Sequence, residues 1–262
     1  MKLVFSLFGL FLLSFSIAAL AQTKLVPPKN LHLYLLAGQS NMAGRGVVEA
    51  QDRTQHPRVW VLNQQGDWVP AAEPLHFDKP AVAGVGPGFS FGKTMAELDT
   101  AVAIGLIPTA VGGSAISAWQ PEGFHEQTQS HPYDDALRRL KTALPAGTLR
   151  GILWHQGESD SKPELSVVYE EKLRELIQRL RREAGAEIPF VVGTLGDFFV
   201  KKNSNAVPIN QILKMLPVRV TATACVEATG LTDGGDQTHF NAASARELGR
   251  RYAGAMRKLQ KK

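Results

Sequence analysis

Six apolar runs rich in β-branched residues punctuate the chain: LHLYLLA (31–37), RVWVLN (58–63), AVAIGLI (101–107), LRGILWH (149–155), IPFVVGTL (188–195) and VTATACVEA (220–228). Their apolar residues are nearly continuous, the pattern of strands covered on both faces. Helical patterns lie between several of them: GPGFSFGKTMAELD (86–99), YDDALRRLKTAL (133–144), ELSVVYEEKLRELIQRLRREAG (164–185) and the stretch from Asn241 to the end. Strands alternating with helices predict a mainly parallel central sheet inside a three-layer α/β/α sandwich.

In an open sheet of this kind the ligand crevice lies beyond the carboxyl ends of the strands. Those ends carry GQSN (38–41), TAVGGS (109–114) and HQGESD (155–160), and GGDQTHF (234–240) precedes the last helix. Segments far apart in sequence, all rich in glycine and polar residues, therefore converge at one edge. That edge is where chemistry is expected.

The first 21 residues have one lysine, an apolar core and Ala19-Leu20-Ala21 before Gln22. This is the pattern of a secretory signal peptide, and no basic stop-transfer cluster follows it. Residues 22–262 are then expected as a single domain of an exported, periplasmic or secreted protein without a stable membrane anchor. Cys225 is the only cysteine, so no intrachain disulfide forms and a buried thiol is expected. The net charge of +5 is concentrated in the C-terminal RRYAGAMRKLQKK, read as a solvated helix end complementing its own dipole rather than a nucleic-acid patch.

A serine hydroxyl needs a base within hydrogen-bond reach and a carboxylate to orient that base. Ser40 follows the first strand, and Asp236 and His239 stand three apart in one loop. Seen singly, each has a plainer reading: Ser40 as a helix N-cap, and DQTH as a loop entering the last helix with Asn241 as its cap. Gly38-Gln39-Ser40-Asn41-Met42 keeps only the first glycine of the G-x-S-x-G elbow, which sets the α/β-hydrolase fold aside. Acyl transfer also needs donors for an oxyanion, and the backbone N–H groups of Ser40 and Gly113 and the side-chain amide of Gln156 are candidates.

In this order, GQSNMAG, GGS with a following tryptophan, WHQGESD and DxxHF resemble the SGNH-hydrolase superfamily, of flavodoxin-like fold. Within it the chain is most similar to the sialate O-acetylesterase-like group that includes carbohydrate esterase family 6 acetylxylan esterases. The resemblance implies Ser40 as nucleophile, His239 as general base and acid, and Asp236 as the residue orienting it. It also implies Ser40 N–H, Gly113 N–H and Gln156 as oxyanion donors, with glutamine where the superfamily generally has asparagine. Glu158 is a second candidate for supporting His239. Gln39, Asn41, Trp119 and Trp154 are candidates for contact with a sugar, and His155 is expected to be structural.

The expected function is a cofactor-free and metal-free serine esterase removing O-acetyl groups from carbohydrate, acetylated xylan or a related plant polysaccharide ahead of O-acetyl sialic acid. Two other readings stay open. One gathers His155, Glu158, Asp236 and His239 at a hydrolytic metal, although no compact motif such as H-E-x-x-H is present. The other is a non-catalytic glycan-binding protein on an esterase fold. The sequence leaves the oligomeric state undefined.

Overall fold

The computed structural model describes residues 27–261, so the expected signal peptide lies outside the described residues. Seven strands form one sheet: β1 (Leu31–Gly38), β2 (Val59–Leu62), β3 (Trp68–Pro70), β4 (Ile104–Pro108), β5 (Gly147–His155), β6 (Phe190–Gly193) and β7 (Thr223–Val226). Their spatial order is β3-β2-β4-β1-β5-β6-β7. Every pairing is parallel except β2 with β3. Each of the six predicted runs contains a strand, and β3 is an additional antiparallel edge.

The helices are α1 (Ser40–Ala43), α2 (Ala50–Arg53), α3 (Pro87–Leu98), α4 (Pro132–Ala143), α5 (Pro163–Ala184), α6 (Asp197–Lys202), α7 (Ala206–Arg219) and α8 (Ala242–Gln260). The two-residue period of a strand decides which layer each side chain joins. Leu31, Leu33, Leu35 and Ala37 of β1 enter one core with Leu140 of α4, Leu173 of α5 and Leu213 of α7. Tyr34 and Leu36 enter the opposite core with Phe89 and Phe91 of α3 and Leu248 and Tyr252 of α8. Both faces of the sheet are thus covered, and each fully buried leucine contributes about 1.5–3 kcal/mol relative to exposure.

The order of the strands positions the site. From β1 the chain runs outward to β2 and β3, returns to β4, then crosses to β5, β6 and β7 on the other side. The carboxyl ends of β4, β1 and β5 therefore lie side by side at the point where strand order reverses. Gly38 closes the gap between two of them. Its φ is +127°, and a Cβ there would lie 2.2 Å from the His155 carbonyl oxygen. Glycine at this position lets the Gln39 N–H reach that oxygen at 2.9 Å, which docks the loop carrying Ser40 against the end of β5.

No helix among the described residues is long and apolar enough to cross a membrane. Among the C-terminal basic residues Arg250, Arg251, Arg257 and Lys258 lie on α8, where Arg250 and Arg251 pair with Glu247. Cys225 is half-buried rather than enclosed, and burial pushes its thiol up to about 12.

Candidate active site

Ser40 opens α1 directly beyond β1, and His239 and Asp236 lie in the loop before α8. The Ser40 hydroxyl donates to His239 Nε2 at 3.0 Å, and His239 Nδ1 lies 2.6 Å from Asp236 Oδ2. An ionised carboxylate only accepts, so Nδ1 carries the proton and Nε2 is left to accept from serine. The other carboxylate oxygen of Asp236 accepts the N–H groups of Thr238 and His239, each at 2.8 Å. Burial raises the Asp236 pKa, but these hydrogen bonds and the imidazole outweigh it and hold the carboxyl below its ordinary value.

The loop is tied to its surroundings at several points. Asn241 caps α8, its Oδ1 accepting the Ser244 N–H at 2.9 Å, while its Nδ2 donates to Thr232 and Asp233. Lys202 Nζ on α6 donates to the Asp236 carbonyl at 3.2 Å. Phe240, 2% exposed, packs edge-on against His155 and Phe198.

Beyond β4, the Gly112–Gly113 turn rests on a buried ion pair. Asp78 Oδ2 accepts from Arg45 Nη2 at 2.7 Å and from the Gly112 N–H at 2.8 Å. Gly113 has φ +86°, where an L side chain is strained. Among the described residues the N–H groups of Gly113 and Ser40 donate to no protein acceptor. Two backbone N–H groups without a protein acceptor thus belong to residues that line one cleft with the serine, a feature that suits an oxyanion.

The model of the family described as carbohydrate esterase, sialic acid-specific acetylesterase matches residues 30–258. The chain belongs to that family. A probable carbohydrate esterase of Arabidopsis thaliana is 31% identical over 249 residues, covering 86% of this chain and 88% of that protein. An X-ray structure of an Arabidopsis thaliana protein aligns with a TM-score of 0.77 at 27% identity, over 88% of this chain and 99% of the other. NanS aligns with a TM-score of 0.73 at 17% identity, over 90% and 99%, a likeness of fold. A carbohydrate acetylesterase from Xanthomonas citri gives 0.69 at 21% identity, over 88% of this chain and 57% of that one, again a likeness of fold. As a member of this carbohydrate esterase family the chain is an ester hydrolase acting on acetylated carbohydrate.

The esterase's cleft, about 770 Å3, is lined by Gln39, Ser40, Gly113, Glu158, Asp236 and His239, together with Arg45, Lys79, Val82, Ser159, Phe199 and Thr238. The last six carry no role in the sequence reading. Arg45, Ser159 and Thr238 have a signal, since they sit in or directly after the GQSNMAG, HQGESD and GGDQTHF stretches; Lys79, Val82 and Phe199 come from segments without any motif.

Three expectations are corrected. Trp119 and Trp154 are 1% and 0% exposed and meet edge-on with centroids 5.0 Å apart, so they form core beneath the site rather than walls for a sugar. Trp154 stands on the inward face of β5, and Trp119 Nε1 donates to Ser114 Oγ at 3.0 Å. Gln156 is 0% exposed and does not line the cleft. Its NH2 faces three acceptors: Ser114 O at 3.0 Å, Gln39 Oε1 at 3.2 Å and Asp160 Oδ2.

The residues of the metal reading do not gather either. His155 is 0% exposed, lies 3.1 Å from the Tyr252 hydroxyl through Nδ1, and is driven down to about 3 by burial. No three His, Cys, Asp or Glu side chains among the described residues form a ligand cluster. Glu158 takes its hydrogen bond from Asn41 Nδ2 at 2.5 Å and makes none with His239. Burial pushes its carboxyl up to about 7, against the Asn41 hydrogen bond.

Proposed function

We propose that the protein is a serine esterase that releases acetate from O-acetylated carbohydrate, with acetylated xylan or a related plant polysaccharide as substrate. The observation that carries this reading is the continuous Ser40–His239–Asp236 hydrogen-bonded series opening into the cleft. His239 Nε2 takes the hydroxyl proton as Ser40 Oγ attacks the acetyl carbonyl, and the imidazolium returns it to the leaving sugar oxygen. Water then enters, gives its proton to His239 and attacks the acetyl-serine; acetate leaves as Ser40 regains its proton.

The N–H groups of Ser40 and Gly113 receive the oxyanion. Gln39 supplies the third donor in this reading, in place of Gln156. Its Oε1 accepts from Gln156 Nε2 and from the Ser159 N–H at 3.3 Å, which turns its own NH2 away from both; that NH2 has no partner among the described residues. Rotating the Gln156 amide would set its oxygen against two other acceptors, so the orientation of the pair is determined by chemistry.

O-acetyl sialic acid is a second reading for one specific reason. Lys79 in the cleft bonds to Gln127 Oε1 at 2.7 Å and has no carboxylate partner among the described residues, which suits an anionic sugar. The experiment is acetate release from acetylated xylan and from O-acetyl sialic acid, with and without a chelator, by wild type, Ser40→Ala and Gln39→Ala. Chelator-resistant release is expected, abolished by Ser40→Ala and slowed about 10²-fold by Gln39→Ala. Activity retained in Ser40→Ala would refute the serine mechanism. The faster substrate decides between the two sugars, and glycan binding without turnover of either would favour a binding protein.

A further inference from the structure

The catalytic series leaves one carboxyl in the cleft without a task. Glu158 Oε1 accepts from Asn41 Nδ2 at 2.5 Å, while Oε2 is buried with no partner. The position beside His239 Nδ1 is already taken by Asp236. Glu158 therefore reaches the histidine only through Asn41.

Asn41 follows the nucleophile directly and is 4% exposed. Its Nδ2 donates to the Thr238 carbonyl at 3.0 Å, and its Oδ1 accepts the Phe240 N–H at 3.0 Å. These are the backbone groups immediately before and after His239. The amide cannot be turned over, because its oxygen would then face the Thr238 carbonyl and Glu158, and its NH2 would face the Phe240 N–H. One side chain thus joins the serine segment to both flanks of the histidine, across 199 positions of sequence.

We propose that Asn41 and Glu158 are positioning residues of the esterase: Glu158 locks the Asn41 amide, and Asn41 clasps the backbone on either side of His239, holding base and nucleophile in register. The proposal rests on the Ser40–His239 mechanism above. Reacting groups must stay near attack distance, and a displacement of about 1 Å costs about 10²-fold in rate. The His239 loop needs such a clasp because the Asp236 and His239 side chains are 52% and 28% exposed. The task asked of Glu158 is to accept a hydrogen bond, which a neutral amide oxygen can also do.

The test measures kcat and KM on p-nitrophenyl acetate, the pH profile of kcat/KM and thermal melting for wild type, Ser40→Ala, Asn41→Ala, Asn41→Asp, Glu158→Ala and Glu158→Gln. Both Asn41 variants are expected to lose about 100-fold in kcat with KM changed less than about threefold. Glu158→Ala should lose about tenfold, and Glu158→Gln should recover to within about threefold of wild type with its pH profile unmoved. Should Asn41→Ala fail to fold, Asn41→Asp and the Glu158 pair decide. Wild-type kcat in the Asn41 variants overturns the proposal. So does a Glu158→Gln enzyme as slow as Glu158→Ala or with a displaced pH limb, since Glu158 would then act on His239 through its charge. Activity in Ser40→Ala would instead overturn the serine mechanism on which the proposal depends.

Discussion

Trp154–Gln156 at the end of β5 and Gly234–Phe240 before α8 both bring polar and aromatic residues to the same edge of the sheet, and both read as functional motifs. The structure treats them oppositely. Trp154, His155 and Gln156 are all 0% exposed, with their polar atoms turned inward to Tyr169, Tyr252 and Asp160. Asp236 and His239 keep much of their side-chain surface open to the cleft. One segment is the frame and the other the working edge; a residue type at a strand end does not say which. What separates them is where their hydrogen bonds go. The frame directs its donors to buried acceptors, whereas the loop and the Ser40 turn leave donors and an imidazole facing solvent.

The contrast breaks most sharply at Asp236. Asp236→Asn keeps the shape of the loop but removes the acceptor that fixes the His239 tautomer. The expected loss in kcat/KM is about 10⁴-fold, near 5 kcal/mol of transition-state stabilisation. The melting temperature should move little, because the carboxyl is half exposed. A stable Asp236→Asn enzyme with near-wild-type kinetics would remove Asp236 from the catalytic series.

The frame should respond the other way. Trp154→Ala leaves a cavity between Trp119 and Phe190 and frees the Tyr169 hydroxyl from its indole partner. About 3–5 kcal/mol of stability is expected to be lost, read from urea unfolding. The kcat of the molecules that remain folded should stay within about an order of magnitude of wild type. If Trp154 walls a sugar subsite after all, KM for a polysaccharide would rise while unfolding stayed put.

The same contrast marks how far the amino-acid sequence alone is legible. Six of the strands are legible because buried parallel strands are continuously apolar over four or more residues. β3 is not, since Trp68–Pro70 is three half-buried residues following NQQGD. Residues 197–210 fall outside the strand runs and helical patterns named from the sequence, yet they contain α6 and the start of α7. Pro208 and Pro217 interrupt the α7 pattern, and its stability comes from Ile209, Leu213 and Leu216 packing under the sheet. Ser40 beyond β1 and Asp236 and His239 before α8 are legible as candidates because the residue types that can serve as nucleophile, base and orienting acid are few and specific. The direction in which Gln156 and Glu158 point is not, because it depends on partners such as Asp160 and Asn41 that only the folded chain brings within reach.

The smallest expected effect concerns the buried ionisable groups of the frame. Glu73, 4% exposed, is pushed up to about 8 by burial despite accepting the Leu75 and Gly86 N–H groups, and Glu158 is pushed up to about 7. Both exceed the 4.5 of an ordinary glutamate, so above that pH the folded chain retains protons the unfolded chain has released. Their contribution is fully present below pH 4.5 and is lost as pH rises through 7 and 8. His155 acts in the opposite sense. Its folded value of about 3 lies below 6.5, so its contribution is present above pH 6.5 and lost as pH falls toward 3. One histidine opposes two carboxyls between 4.5 and 6.5, so it offsets the decline there only in part, and the carboxyls act alone above that range. Unfolding free energy should therefore fall by roughly 1–3 kcal/mol between about pH 6.5 and 8. Glu73→Gln, at a residue that does not line the cleft, should flatten that decline, and an equally steep decline in the variant would show that Glu73 is ionised in the folded protein throughout.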